Sequence, residues 1–165
     1  PVSPTISLRV IHLSSAEASD LPTPITTSDP HAAVRQWFTV QGPYCVAVDY
    51  ASTRSIFAPD VVSFGTKAEV VSGLDSLQRN QWENIWPKIR DFHYDMDSIH
   101  SGGDERHAWG IATCTSTGFD ENGRPFSRPC RATVILERRD DTWLCVHTHF
   151  SLFPGTPLRL FEPKE

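Results

Sequence analysis

No apolar run in this chain approaches the roughly 20 residues that a helix needs to span a bilayer. Basic residues are scattered rather than gathered into a stripe, and the formal net charge is −5, so a nucleic-acid partner is not predicted. Neither an HExxH helix nor a CxxC pair occurs, and these are common signatures of zinc sites. Membrane insertion, nucleic-acid binding and a bound metal are therefore not expected.

The four cysteines, Cys45, Cys114, Cys130 and Cys145, show no paired spacing. Three of them lie inside apolar runs typical of strands, where a reduced cysteine behaves as a small hydrophobic side chain. We therefore interpret all four as free, buried thiols. Free thiols are typical of reducing compartments, so a cytoplasmic location is expected.

Length and composition fit one folded domain. The chain has 165 residues, of which 39% are hydrophobic and 21% charged, ordinary values for a domain with a single core. Residues 1–27 are rich in proline, serine and threonine and are predicted to form a flexible tail that adds little stability. The folded domain is predicted over residues 28–165.

The first part of this domain is predicted to be helical. The stretch SDPHAAVRQWF starts a helix that Ser28 or Asp29 can cap, with Pro30 in its first turn. The pair Gly42-Pro43 is expected to break or kink this helix. A second helical stretch is predicted in YCVAVDYASTRSIF.

A further helix is predicted in SGLDSLQRNQWENIWPKI, after a short strand in DVVSFG. Ser72 is placed to cap this helix and Pro87 to end it. Six of its residues fall on one helical stripe: Leu74, Leu77, Gln81, Trp82, Ile85 and Trp86.

From residue 91 onward the pattern changes to strands. The strand-like runs are DFHYDMDSIH, RHAWGIATCTSTG, RATVILERR and TWLCVHTHFSLF, joined by turn signals such as SGGDE, DENG and RRDD. Helices followed by an antiparallel meander indicate an α+β fold, with helices packed on one face of a curved sheet.

The order of these segments resembles the SnoaL-like branch of the NTF2-like superfamily. The similar stretches are VAVDYASTRSIFAPDVVSFG, GLDSLQRNQWENIWPKIRDFHYD, AWGIATCTSTGFDENGRPF and RATVILERRDDTWLCVHTHFS, which span residues 30–154 approximately. The resemblance implies a cone in which a curved antiparallel sheet wraps around N-terminal helices and encloses one pocket. It also implies a homodimer formed across the sheet.

Two kinds of function follow from this resemblance, because the fold alone does not fix the chemistry. One is a cofactor-free acid/base lyase or isomerase, of dehydratase, cyclase or elimination type, acting on a small apolar or polyketide-like substrate. A single base in an apolar cavity suffices for such chemistry. The other is a non-catalytic ligand-binding or dimerising association domain. The enzyme, binding a small apolar ligand without a cofactor, is the favoured hypothesis.

The stretch WLCVHTHFSLFP places His147 and His149 two residues apart. In a strand they point to the same side as Trp143, Cys145 and Ser151. This row fits a metal site, a pocket wall, or a dimer or structural face. Since no third ligand follows at zinc spacing, a metal is not expected, and His147, His149 and Ser151 are predicted to contact substrate.

Arg131 lies within a strand in RPCRATVILER. A charged group there is either solvated or paired, or it clamps an anion or carbonyl. A two- or four-residue loop in the RRDD turn would separate Arg131 from His147, whereas a three-residue loop would place them side by side. The sequence leaves this open, and Arg131 is included among the predicted substrate contacts.

Asp49 and His93 are the predicted catalytic pair. AVDY and IWPKIRDFHYD are similar to the hexachlorocyclohexane dehydrochlorinase branch, in which the matching Asp and His form a dyad. A carboxylate bonded to one ring nitrogen fixes the tautomer and raises the basicity of the other nitrogen. The residues by themselves also fit a helix-boundary cap at Asp49 and a surface-strand histidine at His93.

Large aromatic residues are predicted to line the substrate pocket. Tyr50 follows Asp49, Trp82 and Trp86 share the helical stripe, and Trp109 lies in the middle of a strand. Such residues usually belong to the core. In a cone-shaped domain the core and the pocket are continuous, so they can also meet a ligand.

Overall fold

The computed structural model describes residues 22–164. Its longer helical elements are α1 (Pro30–Ala47), α2 (Tyr50–Arg54) and the tryptophan segment, residues 74–88. This segment comprises α3 (Leu74–Leu77), a π-helical turn (Gln78–Trp82), α4 (Glu83–Ile85) and a 3-10 turn (Trp86–Lys88). Another 3-10 turn covers Met96–Ser98.

Helix α1 begins where the sequence predicts. Asp29 is its N-cap and accepts a hydrogen bond from the backbone N–H of His31 at 2.9 Å. Of the predicted break or kink at Gly42-Pro43, the break is wrong, because the helix continues to Ala47. Buried residues recur in phase on both sides of Pro43, namely Val34, Trp37, Phe38, Gln41 and Cys45, and tertiary packing of such a face stabilises a helix.

Val48 and Asp49 separate α1 from α2. Val48 adopts the left-handed conformation, with φ of 55°, and its N–H bonds back to the end of α1, which stops the helix. Asp49 then caps α2 by accepting a hydrogen bond from Ser52 N at 3.0 Å. The predicted second helix is thus divided, since its first four residues belong to α1 and α2 ends at Arg54.

The tryptophan segment confirms the predicted stripe. All six of its stripe residues are buried, with exposed fractions from 0% to 8%. The predicted cap at Ser72 is wrong, because Ser72 lies in a strand and Gly73, with φ of 86°, precedes α3 without a side-chain cap. Pro87 lies in the closing 3-10 turn, and Ile89 is already extended.

Within residues 22–164, eight strands form one curved sheet that is not closed. They are β1 (Phe57–Phe64), β2 (Val71–Ser72), β3 (Arg90–Tyr94), β4 (His100–Gly103), β5 (His107–Phe119), β6 (Pro125–Ser127), β7 (Cys130–Arg139) and β8 (Thr142–Leu152). The order is β2-β1-β8-β7-β5-β3, with β4 and β6 also paired to β5. The β1–β8 pairing is parallel, so the expected antiparallel sheet is in fact mixed.

The helices cover one face of this sheet, as the α+β prediction requires. Helix α1 packs against β3, β4 and β5, and α3 packs against β1. Gly110 in β5 permits the close approach of α1, since a Cβ there would lie 2.3 Å from Val34 Cγ1. The face turned towards the helices is called the inner face below, and the opposite one the outer face.

A β-bulge in β8 decides which of its residues face the helices. The register against β7 shifts by one residue between Cys145 and His147, which makes Val146 an extra residue. Trp143 and Cys145 are fully buried on the inner face, whereas His147 and the odd-numbered residues after it lie on the outer face. The predicted single row is therefore wrong, because one added residue inverts the alternation of a strand.

The same bulge places Arg131 and His147 on one face. A two-residue turn, Asp140-Asp141, joins β7 to β8, and both residues have positive φ, 46° and 62°, as in a type I′ hairpin. That loop length by itself would separate Arg131 from His147. The extra residue in β8 restores the phase, and Arg131 pairs with Ser151.

Cys114 in β5 and Cys130 in β7 are cross-strand partners joined by a disulfide. The prediction of four free thiols is wrong for this pair, because the sheet register brings their Cα atoms to 4.9 Å, within the usual range for a disulfide. Cys45 and Cys145 are free and buried, as predicted. The expected cytoplasmic location depended on four free thiols and loses that support.

Part of the predicted tail packs against the domain. Residues 1–21 lie outside the described residues. Ile25 is 1% exposed and its carbonyl accepts a hydrogen bond from Trp143 N at 2.9 Å. The carbonyl of Thr27 accepts another from Trp143 Nε1 at 2.8 Å, so residues 22–27 contribute to the core.

Candidate functional site

A cavity of about 50 Å³ lies between the helices and the inner face of the sheet. It has room for a few water molecules or a small ligand, and is well below the roughly 300–1,000 Å³ of drug-sized sites. The lining residues come from α1, from the tryptophan segment, from the sheet and from the connections between them: Gln41, Cys45, Phe57, Thr66, Gln81, Trp82, Ile85, Trp86, Ile89, Phe92, Arg128, Cys130, Thr148 and Phe150.

Stacked aromatic rings form the apolar wall of this cavity. The rings of Trp82 and Trp86 are stacked, with centroids 5.0 Å apart and an interplanar angle of 16°. Phe57 contacts Trp82 edge-on at 5.1 Å. Tyr50 stacks on Trp86 at 5.5 Å but does not itself line the cavity, so the predicted aromatic contacts Trp82 and Trp86 are the ones placed at the site.

Among the described residues, Arg128 is the one charged side chain in the cavity lining. It follows β6 and exchanges backbone hydrogen bonds of 2.8 and 3.3 Å with Ser116 of β5, and it is 4% exposed. The burial of Arg128 could have been predicted from the alternation of side chains in a strand. Arg128 is two residues before Cys130, so the two side chains fall on the same, buried side of this run. Arg131, chosen from the sequence, is in the opposite phase.

The guanidinium of Arg128 is poorly satisfied. Its Nη2 donates to Thr66 Oγ1 at 2.9 Å, while Nε is buried without a partner. Within residues 22–164 no carboxylate forms an ion pair with it. Burial lowers the pKa of Arg128 to about 10, so the group remains charged at neutral pH and the cavity carries an uncompensated positive charge.

Besides Arg128 and Thr66, the described lining includes the polar side chains of Gln41, Gln81 and Thr148. Gln81 Oε1 is buried without a partner. Gln41 Oε1 accepts a hydrogen bond from the Tyr94 hydroxyl at 2.5 Å, and Thr148 Oγ1 lies 2.8 Å from Ser63 Oγ. Gln81 and Arg128 are therefore the described lining residues with a buried polar atom left unpaired.

No group suited to act as a general base lies on the described part of the cavity wall. The lining includes no Asp, Glu or His among residues 22–164. Burial raises the pKa of the Cys45 thiol far above its usual range, and the nearby charge of Arg128 opposes this only in part. Cys45 is therefore a neutral thiol at physiological pH.

An open recess of about 410 Å³ adjoins the cavity. It shares Thr66, Ile85 and Arg128 with the cavity, and its other lining residues are Lys67, Asn84, Leu158, Arg159 and Leu160. The charged side chains of this lining are all basic among the described residues. The recess is therefore electropositive, although the whole chain has a net charge of −5.

The structure does not bring the predicted catalytic pair together. The Asp49 carboxylate caps α2, and hydrogen bonds from Ser52 lower its pKa. His93 is exposed on β3, with Nδ1 2.9 Å from the carbonyl oxygen of Asp91. No hydrogen bond or ion pair between Asp49 and His93 occurs in the part of the chain that is described, and neither residue lines the cavity. Their positions match the alternatives of a helix cap and a surface-strand histidine.

The remaining predicted contacts lie on the outer face of the sheet. Two cross-strand rows cross it, one formed by Trp109, Ile135, His147 and Val62, the other by Ile111, Thr133, His149 and Phe64. Phe64 contacts the rings of His147 and His149 edge-on, at 5.2 and 5.4 Å. Arg131 lies over the ring of Phe153 at 5.2 Å and pairs with Ser151, so none of these residues reaches the cavity.

Within residues 22–164, no group of three or more His, Cys, Asp or Glu side chains is arranged to hold a metal ion. Over the same described residues, no helix combines the length and the apolar character needed to cross a membrane.

Helices packed on the inner face of a curved mixed sheet, with a cavity between them, define the NTF2-like fold class. A ketosteroid isomerase-like protein from Erwinia carotovora atroseptica superposes with a TM-score of 0.67 at 13% identity, over 78% of this chain and 100% of that one. A proposed dehydratase of the NTF2-like family from Streptomyces avermitilis gives 0.63 at 17% identity, over 78% and 100%. A proposed calcium/calmodulin-dependent protein kinase II association domain from Xanthomonas campestris gives 0.57 at 23% identity, over 76% and 86%.

The profile of the SnoaL-like domain matches residues 43–155. This match covers more than half of the chain, which therefore belongs to the SnoaL-like domain family. The resemblance drawn from the sequence is confirmed. No curated protein matches the chain, and the structural neighbours above establish the fold rather than an activity.

Proposed function

We propose that this SnoaL-like protein binds a small organic molecule in the cavity and does not transform it. The observation that supports this most is the lining itself, which combines stacked tryptophans with the incompletely paired polar groups of Arg128 and Gln81 and includes no described carboxylate or imidazole. Ligand sites are typically apolar with a few well-placed polar groups. Proton-transfer chemistry also requires a base with a suitable pKa.

The alternative hypothesis, that the protein is an acid/base lyase or isomerase, has less support. Asp49 and His93 lie apart from the cavity, and the Cys45 thiol is neutral because of its burial. Arg128 can stabilise a negative charge but cannot remove a proton while it remains charged. The isomerase-like and dehydratase neighbours are 13% and 17% identical to this chain, and a shared fold does not carry a reaction with it.

The cavity volume restricts the ligand. About 50 Å³ accommodates a compound of a few non-hydrogen atoms, whereas a polyketide-like substrate needs a site of several hundred Å³. We therefore expect a small compound whose apolar part lies against Trp82 and Trp86.

Replacing Cys45 with leucine tests whether the cavity is the binding site. Cys45 is 3% exposed and lines the cavity, so a larger side chain fills space that a ligand needs. In the wild type, small compounds such as propanol and propionamide, screened at millimolar concentration, should raise the thermal unfolding midpoint, because a ligand that binds only the native state stabilises it. Cys45→Leu should abolish this response.

Val46→Leu is the matched control. Val46 follows Cys45 in α1 and is 57% exposed, so the larger side chain enters solvent and leaves the cavity unchanged. The proposal fails if no compound stabilises the wild type, or if a folded Cys45→Leu variant responds as strongly as Val46→Leu.

We further infer that two copies of the chain pair across the outer face. Five large apolar side chains on that face, Val62, Phe64, Trp109, Ile111 and Ile135, are each 37–46% exposed. A contiguous apolar patch is unusual on a monomer, and a stable interface needs about 800 Å² from each partner.

Light scattering at micromolar concentration tests this pairing. The expected mass is twice the 18.5 kDa of one chain. Trp109→Lys should shift the protein to monomer, while Glu105→Lys, at an exposed position nearby, should not. A wild-type mass of one chain would contradict the inferred dimer.

A further inference from the structure

The charge balance around Arg128 indicates which chemical group the ligand carries. Buried charges in proteins are normally paired, because an unpaired one loses its hydration without compensation. Arg128 is 4% exposed, makes a single guanidinium hydrogen bond, to Thr66, and has a buried Nε with no partner. An arginine has five N–H donors, so most of its donors have no acceptor among the described residues.

The position of Arg128 also links the cavity to solvent. It lines both the cavity and the recess, where the other charged residues are Lys67 and Arg159. Neither forms an ion pair within the described residues. Basic groups at the mouth of a site raise the local concentration of anions and speed their entry.

We propose that the ligand is a small organic carboxylate, with its carboxylate bound by the guanidinium of Arg128 and its apolar body against Trp82 and Trp86. The planar fork of an arginine matches the two oxygens of a carboxylate. An inorganic anion would satisfy Arg128 but leave the stacked indoles unused, so the apolar wall favours the organic acid. This inference rests on the proposed function, since it names the ligand class of the same cavity.

Matched acids and amides provide the test. Calorimetric titration of the full chain would use acetate, propionate and butyrate against acetamide, propionamide and butyramide, which have nearly the same shape without the charge. At least one acid should bind about tenfold more tightly than its amide, the factor expected for a charge-assisted hydrogen bond. Inorganic phosphate at the same ionic strength should bind at least tenfold more weakly than that acid.

Arg128→Gln should remove the preference for the acid over the amide. Arg131→Gln is the control, because it removes the same charge from the outer face and should leave the preference intact. If Arg128→Gln does not fold, Lys67→Gln with Arg159→Gln, both at exposed positions, should weaken acid binding about threefold at low salt and leave amide binding unchanged.

The outcomes separate the two proposals. Equal affinity for acid and amide overturns the carboxylate inference but leaves binding in the cavity standing. Phosphate binding as tight as that of the acids overturns the organic nature of the ligand. Loss of the preference in Arg131→Gln instead of Arg128→Gln overturns the position of the site. If neither acids nor amides bind, both this inference and the proposed function are wrong.

Discussion

The contribution of Ile25 can be tested by two truncations and one substitution. Ile25 is 1% exposed, and Ile→Ala at a buried site typically costs about 2–5 kcal/mol of unfolding free energy. Ile25 belongs to the cluster of buried core residues, so Ile25→Ala should cost at least the lower end of this range, about 2–3 kcal/mol.

Truncation before Ser28 should cost more than this substitution. It also removes the carbonyls of Ile25 and Thr27, which accept hydrogen bonds from Trp143 N and Nε1 at 2.9 and 2.8 Å. Trp143 is fully buried, and each donor left without an acceptor costs about 1–3 kcal/mol unless water replaces the carbonyl. Without such replacement the total loss should be about 4–9 kcal/mol, a large part of the roughly 5–15 kcal/mol of a typical domain.

Urea denaturation followed by far-ultraviolet circular dichroism measures these losses. Truncation before Pro22 is the control for length, and Thr26→Ala, at an exposed position, is the control for substitution. An unchanged midpoint after truncation before Ser28 would show that residues 22–27 do not stabilise the domain, and would support the sequence-based prediction that residues 1–27 add little stability.

Three further predictions concern the acid–base groups and the packing of α1. His93→Ala should leave ligand affinity unchanged in the calorimetric titration, since His93 is exposed and outside the cavity lining; a tenfold loss would return the predicted dyad to consideration. Burial raises the pKa values of Cys45 and Cys145, so the unfolded chain loses those thiol protons at a lower pH than the folded chain does. Above pH 9 the free energy of unfolding should therefore fall by about 1.4 kcal/mol per pH unit for each thiol. Alanine variants at both positions should reduce the pH dependence of the urea midpoint between pH 8 and pH 10. Gly110→Ala should cost about 1–3 kcal/mol, because the new Cβ would overlap Val34 Cγ1, and a calorimetric midpoint equal to wild type would show that α1 shifts freely.

Periodicity in the sequence was sufficient for the α+β class, but not for the parallel pairing of β1 with β8. The stripe from Leu74 to Trp86 and the start of α1 at Asp29 depend on local patterns that tertiary packing reinforces, so both were predictable. The helix does not break at Pro43, although proline disfavours a helix interior. Cys45 is buried one turn after Gln41, in phase with Phe38 and Gln41, and this packing outweighs the local effect of the proline.

The candidate site was harder to predict, because it depends on strand register. One extra residue at Val146 moves His147 and His149 to the outer face, and alternation counted along the sequence cannot detect a bulge. Arg128 was detectable in principle from its phase with Cys130. Its lack of a partner was not, because that depends on which side chains the folded sheet brings together.

The Cys114–Cys130 pair illustrates the same limit. A spacing of 16 residues carries no disulfide signature, and only the pairing of β5 with β7 makes the two residues direct neighbours. Likewise Asp49 fits both a cap and a catalytic carboxylate in sequence. The left-handed turn at Val48 is what assigns it to the cap.

The central claim, that the cavity binds a small organic acid at Arg128, is tested most directly by a structure of crystals grown with propionate or butyrate and without other carboxylates. Electron density for the acid is expected in the cavity, with a carboxylate oxygen within hydrogen-bonding distance of the Arg128 guanidinium and the apolar body against Trp82. A cavity that holds only water at a saturating concentration of the acid, or an acid bound on the outer face near Arg131, would contradict it.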